Sequence, residues 1–275
     1  MINKFDIYEN ITLREYLKKC NLSNSYIYKL NMLKAISGEN SYISLDTMLN
    51  SGESIYINFS LLETNNCQVS YGKTDLKILY EDDNIIASYK KRGILVHSDG
   101  NFTNTLLDEV VNYLAKKGDD SVVRALHRLD VDTCGVVLFS KNLLSYTYIS
   151  KQMEENKIDK EYLALVEGDL TSGGVIDIGI GRDRHNSKKS VATKKGKASY
   201  TEYMVLKKEK NKTLLKVKIK TGRTHQIRVH MAYINHPIVG DKLYGKGCGE
   251  LQLLCKQMSF NLFGRKITIK CEENL

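Results

Sequence analysis

The segment HRLDVDTCGVVLFSK, His127 to Lys141, places two carboxylates, Asp130 and Asp132, beside Arg128 and ahead of an apolar run. A carboxylate held in such a turn can attack an electrophilic carbon or take a proton. Aspartate is also common in turns for a local reason, because its side chain hydrogen-bonds the backbone two residues on. The residues alone leave both readings open. A third reading, an acid and base pair for glycoside hydrolysis, needs two carboxylates facing one space. Residues two apart on an extended turn point to different sides, so this reading has little support. Between Arg182 and Lys197 lie seven basic residues, Arg182, Arg184, Lys188, Lys189, Lys194, Lys195 and Lys197, against the single acid Asp183. A run of this kind is a solvated loop or a clamp for a phosphate backbone. Metal chemistry is not suggested. Cys20, Cys67, Cys134, Cys248, Cys255 and Cys271 form no C-x-x-C pair, and His225 and His230 are five apart, on different faces of a helix. All six cysteines read as reduced, mostly packing residues.

These groups must be positioned by regular elements. GVVLFSK, YLALVEG and LLKVKIK read as strands, with a helix carrying Leu143, Leu144, Tyr148 and Met153 between the first two. Leu106, Leu107, Val110, Val111 and Leu114 recur at helical spacing between Asn104 and Gly118, both good cap residues. Arg228 falls on a helix running from Thr224. In LKILYEDDNIIASYKKRGILVH, short strands are punctuated by Asp82, Asp83, Asn84 and Gly93. Strands in hairpins with a few helices imply an α+β domain on a mainly antiparallel sheet over residues 76–275. Residues 63–75 read as a linker. Ahead of it, over residues 1–62, Thr12 precedes Leu13, Tyr16 and Leu17 as a helix cap would. Ser23 or Ser25 could cap a second helix with Ile27, Leu30 and Leu33, and Ile55, Ile57 and Phe59 alternate as a strand.

With 275 residues, 42% hydrophobic and 27% charged, the chain has the composition of a globular protein with a packed core. Its net charge of +9 and pI near 9.0 favour a polyanionic partner such as nucleic acid. No stretch approaches the apolar length of a membrane span and the start lacks a signal-peptide pattern, so a cytoplasmic protein without membrane contact is expected.

HRLDVDTCGVVLFSK closely resembles the HRLDxxTSG signature of RluA-type pseudouridine synthases. The resemblance continues in register through DKEYLALVEG and through KTGRTHQIRVHMAYINHPIVGDKLYG, Lys220 to Gly245, and covers roughly residues 76–265. It implies a pseudouridine synthase fold with a catalytic cleft and no metal or cofactor. It also implies Asp130 as the indispensable catalytic residue, Tyr162 packed against the target base, and Arg228 paired with the aspartate. Arg128 resembles the family arginine that fills the space left by a flipped uridine, and the basic run becomes a candidate backbone clamp. Cys134 replaces the signature serine, and Leu254 stands where the family carries a histidine. TLREYLKKCNLSNSYIYKL and LNSGESIYINF are similar to a small alpha-L RNA-binding module, although Asn24 replaces its usual arginine. Such a module is more typical of members acting on large-subunit ribosomal RNA than on transfer RNA. A monomer that binds RNA is therefore expected.

Overall fold

In the computed structural model of the chain, residues 2–39, 41–63, 76–98 and 104–275 are described. The first unit runs β1 (Ile2–Asp6), β2 (Ile11–Thr12), α1 (Leu13–Lys19), α2 (Asn24–Met32), β3 (Ile36–Ser37), β4 (Met48–Leu49) and β5 (Ser54–Asn58), followed by a short turn of helix at Phe59–Leu61. Thr12 caps α1 as its sequence implies: Thr12 Oγ1 accepts the Glu15 amide, and the Glu15 carboxylate accepts the Thr12 amide. Of the two serines, Ser23 is the cap of α2. An antiparallel sheet in the order β1-β5-β3 backs the two helices.

The second unit follows with β6 (Lys77–Glu81), β7 (Ile85–Lys90), α3 (Leu106–Lys116), β8 (Arg124–Ala125), β9 (Cys134–Ser140), α4 (Leu143–Glu154), β10 (Asp159–Glu167) and β11 (Gly174–Asp177). It continues with β12 (Ile180–Arg182), β13 (Ser190–Ala192), β14 (Tyr200–Glu209), β15 (Lys212–Ile219), α5 (Gln226–Tyr233), β16 (Leu253–Leu262) and β17 (Arg265–Lys270). Ten of these strands form one sheet, β11-β14-β15-β10-β16-β9-β7-β6, with β17 also on β16 and β8 on β9. All pairings in it are antiparallel except β16 with β9. The fold is α+β on a mainly antiparallel mixed sheet.

Every residue of β9 is buried, which explains its unbroken apolar run: both faces of a central strand are covered. The parallel step is tight. A Cβ on Gly135, at φ +118°, would lie 2.2 Å from the Cys255 carbonyl oxygen, so glycine is required there. This step brings the turn that ends at Cys134 alongside β16 and β10, the strand that carries Tyr162.

Two helix starts differ from the sequence reading. Thr105, not Asn104, caps α3, because its hydroxyl and the Asp108 carboxylate form a reciprocal box, while Asn104 sits at φ 70°. α5 begins at Gln226, two residues after Thr224, with His225 as its cap. The linker expected over 63–75 lies, from residue 64 on, outside the described residues, as does Cys67.

The cores of the two units share side chains. Leu143 and Leu144, at the start of α4, are buried with Leu13, Leu17, Leu30 and Ile57 of the first unit. Phe263 meets Phe5 edge-on at 5.3 Å. Removing residues 1–62 would bare these groups, and burial of each leucine contributes about 1.5–3 kcal/mol. The truncated chain should fold yet melt about 10 °C lower than the full chain by circular dichroism. An unchanged melting temperature would show that the first unit adds nothing to the second.

Candidate active site

Between the turn after β8, the start of β10 and the loop before α5 lies a cleft of about 420 Å³. Asp130 lies in its wall, held by a turn in which the Thr133 amide donates to the Asp130 carbonyl at 3.1 Å. His127, pushed down to about 3 by burial, stays neutral and accepts the Leu138 amide through Nε2, which ties the segment to β9. Arg228 reaches Asp130 from α5, its Nη1 donating to Oδ2 at 3.2 Å. No donor among the described residues reaches Oδ1. Asp132 is exposed and lies outside the cleft, so the two carboxylates do not share a space and the glycoside-hydrolysis arrangement is absent.

The guanidinium has a second and stronger partner. Nε and Nη2 of Arg228 donate to Oδ2 and Oδ1 of Asp241 at 2.8 and 2.9 Å, a two-pronged pair. Asp241 is fully buried and also accepts the Leu243 and Tyr244 amides. Burial pushes its carboxyl up, but the bonds from Arg228 outweigh that and hold it below its usual value. Asp241 thus fixes the plane of the guanidinium, leaving Nη1 for Asp130.

Tyr162 is both core and cleft wall. Its ring is only 6% exposed, yet it lines the cleft with Asp130. A register shift between Glu161 and Tyr162 sets it opposite Cys255 on β16, as a bulge re-aims a side chain. Burial, with the Cys255 thiol alongside, pushes its phenol well above the usual range, so it stays neutral.

Comparison with known proteins gives the family. The RNA pseudouridylate synthase family model matches residues 84–233. The chain belongs to this family, as an RluA-type member. It is 39% identical over 210 residues to ribosomal large subunit pseudouridine synthase D of Borreliella burgdorferi, covering 72% of this chain and 62% of that one. It is 34% identical over 205 residues to an uncharacterized RNA pseudouridine synthase of Bacillus subtilis, covering 73% and 67%. The chain therefore spans about three-fifths of the length of the Borreliella relative. The solved human RNA pseudouridylate synthase domain containing 1 shares the fold, with a TM-score of 0.64 at 23% identity over 72% of this chain and 84% of that one.

In this family member Arg128 stands exposed in the cleft wall and makes no ion pair among the described residues. Most of the basic run is loop, as its composition implies, but it is anchored on a hairpin: β12 ends at Arg182 and pairs with β13, and Ile180 bridges to Lys197. Hydrogen bonds between two short strands need no apolar content, which hid them in the sequence. Arg182, Arg184, Lys188, Lys194, Lys195 and Lys197 are exposed and Lys189 is half-buried, none of them in the cleft. The hairpin meets the site through its backbone, where the Ser190 amide donates to the Tyr244 hydroxyl at 2.8 Å.

Four residues escaped the sequence reading: Lys90, His225, Asp241 and Tyr244. The last three lie inside the third quoted motif, and that was the only available signal. Lys90 is fully buried, its Nζ donating to the carbonyls of Lys91, Ile94 and Val131 at 3.0, 2.7 and 2.7 Å. Burial lowers its ammonium to about 8. Val131 follows Asp130, so this lysine pins the turn from below. Lys90→Met keeps the bulk but removes three buried hydrogen bonds, the Val131 carbonyl keeping a second donor in the Gly93 amide at 2.9 Å, and should cost about 2–3 kcal/mol in urea unfolding. Wild-type stability of that variant would show that the three bonds contribute nothing net.

Proposed function

We propose that this chain isomerises uridine to pseudouridine in RNA, with Asp130 as the group that attacks the ribose or takes a proton from its second carbon. The observation that carries this reading is the state of the Asp130 carboxylate: Oδ2 is held by Arg228, Oδ1 has no hydrogen-bond donor among the described residues, and Asp130 and the neutral Tyr162 ring line the same cleft. The reaction breaks the bond from ribose to nitrogen one of uracil, turns the base, and rejoins it through carbon five, whose proton leaves. It is redox-neutral and asks for one well-placed carboxylate, a flat apolar surface for the base and a fixed cation.

Tyr162 serves in this reading as the platform for uracil. Arg128, in the cleft wall and without an ion-pair partner among the described residues, fills the gap left when the uridine flips out, a step that costs a few kcal/mol. The seven basic residues of the hairpin region take backbone phosphates. Ribosomal RNA is favoured over transfer RNA as substrate, since Borreliella burgdorferi and Nitrosomonas europaea relatives at 39% identity carry the name ribosomal large subunit pseudouridine synthase D. The protein is read as a cytoplasmic monomer that needs neither metal nor cofactor.

The test is release of tritium from carbon five of labelled uridine in large-subunit ribosomal RNA, run with and without EDTA. Chemical mapping of pseudouridine in total RNA with and without the gene then locates the site. Release should persist in EDTA. Activity abolished by EDTA and restored by zinc would refute the cofactor-free reading, and RNA bound without any release would mark a protein that had lost catalysis.

A further inference from the structure

The first turn of α5 is capped against the usual rule. An N-cap is normally an extended Ser, Thr, Asp or Asn whose side chain accepts a first-turn amide. Here the cap is His225, at φ 56° and ψ 24°, and its side chain makes no capping bond. Left-handed backbone is uncommon outside glycine, although histidine takes it more readily than most residues, and such positions gather where a site requires them. What the conformation secures is the placement of the ring. Nδ1 lies 2.9 Å from the Tyr244 hydroxyl and Nε2 lies 3.8 Å from Asp130 Oδ2.

The hydrogen bonds favour one nitrogen for the proton. Tyr244 oxygen already accepts the Ser190 amide, which leaves its own proton to donate to Nδ1. The neutral ring then carries its one hydrogen on Nε2, the nitrogen facing Asp130. Burial, opposed by the Asp130 charge, holds the ring below its usual pKa and in that neutral form. Asp130, Asp241, Arg128 and Arg228 are the charged groups around it, and Tyr244 is its hydrogen-bonded partner.

We propose that His225 is a positioning residue for Asp130, held as its Nε2–H tautomer by Tyr244, which the Ser190 amide of the basic hairpin orients in turn. The proposal rests on Asp130 being the reacting group. Arg228 and His225 approach the same oxygen, Oδ2, and together they turn Oδ1 toward the substrate. At 3.8 Å the His225 contact is longer than a hydrogen bond; contacts of this kind tighten when substrate closes the site.

The tautomer is read by nitrogen-15 NMR of the full chain labelled at histidine, with His225 assigned by its loss in His225→Asn. Wild type should show a bare Nδ1 and a protonated Nε2, and Tyr244→Phe should weaken that preference. A protonated Nδ1 in wild type would overturn the proposal. His225→Asn keeps the left-handed backbone, which asparagine tolerates, but its amide is too short to reach Asp130. Its single-turnover rate should fall on the order of 10- to 100-fold at unchanged RNA affinity, and His225→Gln, which has the reach, should recover part of that loss. A full rate in His225→Asn, or a loss of RNA affinity in place of rate, sinks the idea. Should wild type make no pseudouridine at all, the proposed function fails, while the NMR result on the same sample still decides the tautomer.

Discussion

Pseudouridine formation by an Asp130→Asn chain should fall by at least about four orders of magnitude, with RNA binding and folding intact. Asparagine matches aspartate in volume but can neither attack the ribose nor accept its proton. The fold tolerates the change for a visible reason. Arg228 gives Asp130 only Nη1, at 3.2 Å, while Nε and Nη2 stay paired with Asp241. The buried guanidinium therefore keeps its counter-ion. Asp130 is half-buried, so no deeply buried charge is orphaned. Tritium release at saturating enzyme, filter binding of the same RNA and thermal melting together separate the three effects. Measurable pseudouridine from the pure variant would overturn the assignment of Asp130.

The second large effect is expected at Asp241 and falls on stability as well as on rate. In Asp241→Asn one of two carboxylate oxygens becomes an amide nitrogen, which faces either Arg228 Nε, or Arg228 Nη2 with the Leu243 and Tyr244 amides, donor against donor. Breaking a buried pair by changing one partner costs about 3–5 kcal/mol. Freed from Asp241, the guanidinium can swing toward Asp130 and cover the reactive oxygen, so turnover should drop as well.

The pH dependence has a definite sign. The folded-state pKa of Asp241 lies below its ordinary 3.8, so the stability it contributes is complete above that value and is lost as pH falls through the folded value. Urea unfolding of wild type should therefore weaken on acidification from about pH 4 downward, and Asp241→Asn should show a shallower acid slope from a lower starting stability. Equal stability of the two proteins at neutral pH would show that Asp241 is not the counter-ion that holds Arg228.

Much of the scaffold was legible because its signals are local. The apolar run of β9, the alternation in β10 and the helical spacing of α3 follow from burial on two faces, one face and one stripe respectively. Thr12 and Ser23 mark helix starts because a side-chain oxygen three residues ahead of an amide can accept it. Asp130, Tyr162 and Arg228 stood out only through motif resemblance, and the chain separation of 98 residues between Asp130 and Arg228 conceals their contact from any local pattern.

What the sequence by itself determined is the set of elements, the basic charge and the short stretches where chemistry could sit. The tertiary structure alone decided the state of each group. Nothing local marks Lys90 until three carbonyls converge on it, nor Asp241, within its motif, until Arg228 pairs with it. His225 reads as an ordinary helix residue, yet Tyr244 and Asp130, approaching from other parts of the chain, place its ring, and its backbone takes the left-handed conformation. The physical reason is common to all three: the partners of a buried polar group must come from wherever the packed chain brings a matching donor or acceptor, and only the assembled sheet brings them within 3–4 Å.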